Sequence, residues 1–94
     1  MAKIDSQGRL SIPSELIERL SYQFRDINCA ICYIDKDTFY IIPENMLGDT
    51  DCIISLRKID SKGRIYIPKD ILNLWKYPKI VVVYLNDGKI FFVK

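Results

Sequence analysis

The chain has 94 residues, 49% of them apolar and 28% charged, with a formal net charge of +2. A chain of this size is one small domain with a modest core, and its balance excludes a disordered or fibrous protein. No apolar run approaches the roughly 20 residues that cross a bilayer as a helix, and Met1-Ala-Lys-Ile-Asp5 carries no apolar leader, so the expected location is the cytoplasm with no membrane partner.

Charge is unevenly spread: residues 1–50 carry 5 basic and 8 acidic side chains, and residues 51–94 carry 9 basic and 4 acidic. The second half is the one expected to face a polyanion, with a solvated basic surface as the plain alternative.

In chain order, a short extended segment at Lys3 to Asp5 meets a Ser6-Gln-Gly8 turn, where glycine supplies the positive φ of a tight reversal. A strand follows in which Leu10 and Ile12 alternate with Ser11, giving one apolar face. Pro13 ends it and suits the first turn of a helix of about two turns, with Glu15 favouring the N-terminal dipole and Leu16, Ile17 and Leu20 on one side. Two strands, about Cys29 to Ile34 and Thr38 to Ile42, close the unit around Asp35-Lys-Asp37.

The same series then recurs. Lys3-Ile-Asp-Ser-Gln-Gly-Arg-Leu-Ser-Ile-Pro13 returns as Lys58-Ile-Asp-Ser-Lys-Gly-Arg-Ile-Tyr-Ile-Pro68 at an offset of 55, and nine of twenty positions are identical between residues 3–22 and 58–77, Tyr22 with Tyr77 among them. The second copy begins with a strand from Ile53 to Asp60. It continues through Ile65 and Ile67 and a helix bearing Ile71, Leu72 and Trp75, and ends in strands Ile80 to Leu85 and Lys89 to Val93. Asn86-Asp-Gly88 between the last two is a favourable two-residue hairpin turn. There the offset drops to 51, since Tyr33 matches Tyr84, so the first copy holds four extra residues around Phe24-Arg-Asp-Ile27. The organisation is a first repeat at 1–43, a linker at 44–51 and a second repeat at 52–94, together one compact domain.

Cys29-x-x-Cys32 invites a redox or zinc reading, but the chain has no histidine and no second close cysteine pair. Both lie in an apolar run that reads as a strand, so the expectation is two buried small residues on opposite faces and no metal or cofactor.

One ββαββ unit of about 40 residues can hardly bury its own sheet and helix. The expected fold is therefore mainly β with short helices, a closed or nearly closed barrel made by both copies as a single-chain pseudo-dimer about an approximate twofold axis.

The two segments Ile4-Asp-Ser-Gln-Gly-Arg-Leu-Ser-Ile-Pro13 and Ile59-Asp-Ser-Lys-Gly-Arg-Ile-Tyr-Ile-Pro68, each followed by a short helix and a hairpin, resemble the SpoVT/AbrB family of swapped-hairpin barrels, which includes AbrB, MazE and MraZ. The resemblance implies a β-ribbon DNA-binding domain in which two units interleave their hairpins and basic residues near the Gly-Arg turns contact DNA. Carried over by position, Arg9 and Arg64 are the principal candidates, flanked by Lys3, Lys58 and Arg57, while Asp5 and Asp60 shape the turns. Arg57 departs from the internal pattern, since Ala2 is its counterpart, and the helices place Ile17, Glu18, Leu72 and Asn73 where the AbrB branch has arginines.

Chemically, an arginine at a ribbon tip can donate two hydrogen bonds to guanine O6 and N7 in the major groove, and a pair related by a twofold favours a near-palindromic site. Lys3, Lys58 and Lys62 would add phosphate contacts, and Gln7 standing where the second copy has Lys62 makes the half-sites unequal. Against this, Asp5 with Arg9 and Asp60 with Arg64 are also spaced to form turn-stabilising ion pairs. Lys69, Lys76 and Lys79 read as solvated surface, and Trp75, Tyr22 and Tyr77 as core or interface aromatics.

The expected function is a transcriptional regulator that binds double-stranded DNA. An antitoxin that neutralises a toxin partner and controls its own promoter is the alternative, and a structural dimerisation module a further one. Nothing in the chain offers a nucleophile motif, a phosphate loop or histidine for an enzyme. Further homo-oligomerisation depends on whether Phe39, Tyr40, Phe91 and Phe92 face solvent or the core.

Overall fold

The computed structural model describes residues 1–20 and 24–94. Tyr22 of the repeat match lies outside them. Among the described residues the protein is mainly β, with two short helices and a six-stranded antiparallel sheet curled into a half-barrel. The strands are β1 (Ala2–Lys3), β2 (Arg9–Ser11), β3 (Ile27–Asp35), β4 (Thr38–Pro43), β5 (Ile53–Ile59), β6 (Arg64–Tyr66), β7 (Ile80–Asn86) and β8 (Lys89–Val93). The helices are α1 (Ser14–Glu18) and α2 (Lys69–Leu74), each under two turns.

Pro13 and Pro68 sit one position before the first helical residue, at φ −57° and −55°, rather than inside the first turn. Their carbonyls accept the first helical N–H bonds, from Leu16 and Ile17 and from Ile71 and Leu72. With no side-chain cap, the fixed proline φ is what sets the helix entry.

Strand order in the main sheet is β1-β7-β8-β4-β3-β5, and β2 pairs with β6 in a separate two-stranded ribbon. The pairing crosses between copies: β1 of the first copy lies on β7 of the second, and β5 of the second on β3 of the first. Two backbone bonds reciprocate, Ile12 N–H to the Gly63 carbonyl and Ile67 N–H to the Gly8 carbonyl, both at 2.9 Å. In the ribbon Leu10 faces Ile65, and between β4 and β8 Tyr40 faces Phe91. These are matched positions of the repeat, at offsets 55 and 51.

The main core fills the concave side with Leu10, Ile12, Ile31, Phe39, Ile41, Ile59, Ile65, Ile67, Ile90 and Phe92. Trp75, the C-terminal cap of α2, packs against Phe39 and Phe92 and donates its indole N–H to the Lys36 carbonyl at 2.7 Å, tying the second helix to the first copy's hairpin. A smaller cluster of Ala30, Cys32, Tyr40 and Ile42 lies on the other face, where Leu47 of the linker packs on it. The linker opens with a 3-10 turn at Glu44–Met46. It is held by the Asp51 carboxylate, which accepts from the Tyr40 hydroxyl and the Gly48 amide.

Two questions raised by the sequence are settled by this packing. Cys29 and Cys32 are both fully buried, one in each cluster, hence on opposite faces of β3. Burial pushes the Cys29 thiol up to about 12, against thiolate chemistry. Phe39, Tyr40 and Phe92 are buried and Phe91 is half-buried, so these aromatics serve the core more than an outer surface. No helix among the described residues is long and apolar enough to cross a membrane.

Candidate nucleic-acid interface

Each Gly-Arg turn is built the same way from its aspartate. Asp5 Oδ1 accepts from the amides of Gln7 at 2.9 Å and Arg9 at 3.0 Å, while Asp5 Oδ2 accepts from Arg9 Nε at 2.8 Å. Asp60 repeats the pattern with the Lys62 and Arg64 amides and Arg64 Nε. Gly8 and Gly63 take φ of +81° and +77°, the left-handed region where a side chain is strained. Both carboxyls are held below their ordinary value, chiefly by the arginine amide. Partial desolvation opposes this, and the guanidinium and second amide add to it.

The sequence allowed either an ion pair or a DNA contact for these arginines, and the ion pairs are present. They engage Nε, so the terminal Nη1 and Nη2 donors of each guanidinium are not consumed by them. The aspartate thus aims the side chain and leaves its fork available.

The β2–β6 register decides where the forks stand. Arg9 faces Tyr66 and Ser11 faces Arg64, while Leu10 and Ile65 point to the core. Directly opposed residues share a face and alternate residues share it too, so Arg9, Ser11, Arg64 and Tyr66 form one outward patch. The two arginines are diagonal neighbours across the ribbon, their backbone positions roughly 7–8 Å apart. Gln7 and Lys62 are exposed at the turns leading into the two ends of that ribbon.

The remaining candidates are spread more widely. Lys3 ends β1, opposite Ile80 on the outer strand pair, and Lys58 lies on β5 opposite Asn28, both exposed. Arg57 is half-buried, and among the described residues its Nε is shielded from solvent with no hydrogen-bond partner.

Tyr66 is a site residue that sequence reasoning does not single out. Its side chain is half exposed, its ring lies 5.9 Å from the Arg9 guanidinium carbon, and its hydroxyl reaches Gln7 Oε1 at 3.4 Å. The signal lies in the repeat: Ser11 occupies the matching position, and a tyrosine on the polar side of a strand has no core reason to be there.

No family model matches the chain, and no curated protein matches it.

Proposed function

We propose that the chain is a transcriptional regulator that binds duplex DNA through the outward face of the β2–β6 ribbon. In this reading it is a swapped-hairpin barrel of the SpoVT/AbrB type, with two fused copies standing for two subunits. The strand exchange between copies supports that architecture, as does the self-pairing of matched positions at Leu10–Ile65 and Tyr40–Phe91.

The observation that carries the functional reading is the pair Arg9 and Arg64, oriented by aspartates on one outward face through Nε, with no partner for their terminal donors among the described residues. Their strand positions lie roughly 7–8 Å apart, so the two side chains start from one ribbon that fits a single groove at the centre of a site, rather than from half-sites a full helical turn apart. Gln7 and Lys62 extend the contact to each side, and Lys3, Lys58 and Arg57 supply phosphate contacts. The reading implies a cytoplasmic protein.

The test is fluorescence anisotropy on labelled duplex fragments of the source genome across a salt series, with Arg9→Ala, Arg64→Ala and the double variant. The expected result is a slope of about −0.9 per phosphate neutralised, and loss of preferred fragments in the double variant. Absence of binding, or binding unchanged by both substitutions, overturns the reading and leaves the arginines as turn braces.

A further inference from the structure

A second feature sits beside the ribbon, against the turn of the first copy. The turn of the first copy meets α2 of the second so closely that a Cβ on Gly8 would lie 2.9 Å from Leu72 Cδ1. Beside that contact opens a pocket of about 550 Å³ whose functional lining is Gln7, Arg57, Tyr66, Lys69 and Tyr77. Among the described residues two cations and two tyrosines line it, and no carboxylate does so.

The repeat shows how specific this lining is. Arg57, Tyr66 and Lys69 stand where the first copy has Ala2, Ser11 and Ser14. Three scattered sequence differences thus converge on one cavity. On the matching half a Cβ on Gly63 would meet Ile17, the repeat equivalent of Leu72, just as closely, and what differs there is Arg25 from the extra residues of the first copy, whose Nε lies 4.0 Å from the same point.

Arg57 supplies the electrostatic argument. The residue is half-buried, its Nε is covered and unpartnered, and no ion pair among the described residues neutralises it. A sheltered cation without a counter-charge is unfavourable, and an incoming anion relieves that cost. Lys69 adds a second positive charge on the same wall, while the Gln7 side-chain amide, whose Oε1 accepts from the Tyr66 hydroxyl, offers neutral N–H donors.

We propose that this pocket binds a phosphate group, with Arg57 and Lys69 as its charged ligands. The pocket stands on its own residues, and only the source of the phosphate, a duplex backbone or a free phosphorylated molecule, rests on the DNA reading.

The test uses the intact chain in two arms. In the first, inorganic phosphate is titrated at constant ionic strength, and amide shifts are followed by NMR. The expected result is saturable movement of Gln7, Gly8 and Lys69, weakened about tenfold in Arg57→Gln. Lys69→Gln is the second variant and carries the same expectation should Arg57→Gln disturb the fold. Non-saturating shifts, equal shifts at Lys62 and Gly63, or undiminished affinity in a natively folded variant overturn the proposal.

The second arm measures the duplex salt slope of Arg57→Gln. A slope shallower by about 0.9 identifies the ligand as a backbone phosphate. An unchanged slope beside a positive phosphate titration identifies a free phosphorylated molecule. If the wild type binds no duplex at all, the DNA reading fails while the first arm still decides the pocket.

Discussion

Leu10 and Ile65 occupy the same position in the two copies and lie directly opposite each other in the β2–β6 ribbon, both with essentially no solvent exposure. Each is therefore the other's neighbour in the core. Leu10→Ala is expected to cost about 2–5 kcal/mol, and Ile65→Ala a similar amount, because both leave a cavity that the other cannot fill. The double variant should cost less than their sum by about 0.5–3 kcal/mol. Urea denaturation midpoints measure all three, and strict additivity would show that the contact carries no coupling.

Gly8 is held by backbone geometry more than by space. The nearest atom to an added Cβ is the end of the flexible Leu72 side chain, which can move, whereas φ of +81° is strained for any residue with a Cβ. Gly8→Ala should destabilise by about 1–2 kcal/mol, and Gly8→Asn by less, since asparagine tolerates the left-handed region. Thermal melts of the two variants rank them, and the reverse order would show that crowding against Leu72 outweighs the backbone strain.

The paired turns set the acid limit of the fold. Asp5 and Asp60 titrate in the folded protein below their ordinary 3.8. Their contribution to stability is therefore present above pH 3.8 and is lost as the pH falls through the lower folded values. Asp5→Asn should be less stable than the wild type near neutrality, with a shallower decline below about pH 4. At the alkaline end, Cys29 is pushed from 9.0 up to about 12, so its contribution is complete below 9.0 and erodes as the pH rises toward 12. Denaturant midpoints across the pH range check both limbs.

Lys76 and Tyr77 follow α2 with φ of +58° and +51°, two adjacent left-handed residues with side chains. The turn is fixed by the Tyr77 amide donating to the Leu72 carbonyl at 2.7 Å. Lys76→Gly removes the steric strain at an exposed position, and is expected to stabilise by about 1 kcal/mol. In a domain of this size that is about 4–8 °C in Tm by calorimetry. A lower Tm would mean that the lost backbone entropy of glycine outweighs the relief.

Alternation and turn chemistry made most elements readable from the chain. Leu10 with Ile12 and Ile65 with Ile67 marked the buried faces of the ribbon, and the Asp87-Gly88 turn has positive φ at both residues, as its type requires. Other features were not local. Ala2–Lys3 looks the same whether it pairs within its own copy or with β7, because strand partners are chosen by the whole sheet. The short turn at Glu44–Met46 lacks a distinctive pattern and reads in the sequence only as linker. Of the site, the Gly-Arg turns were legible from their repetition. The pairing that puts Arg9 and Arg64 on one face, and the gathering of Arg57 and Lys69 beside Gln7, needed the register and the third dimension.

The exchange of first strands has a kinetic consequence. Ala2 reaches its partner only at Val81, so the sheet edge laid down first during synthesis is completed almost last. Contacts this distant in sequence slow folding and leave intermediates with unpaired strands. A nascent first half therefore leaves the ribosome with its edge open, and the exposed Ile53, Ile54 and Leu56 of β5 emerge before β7 and β8 complete the sheet.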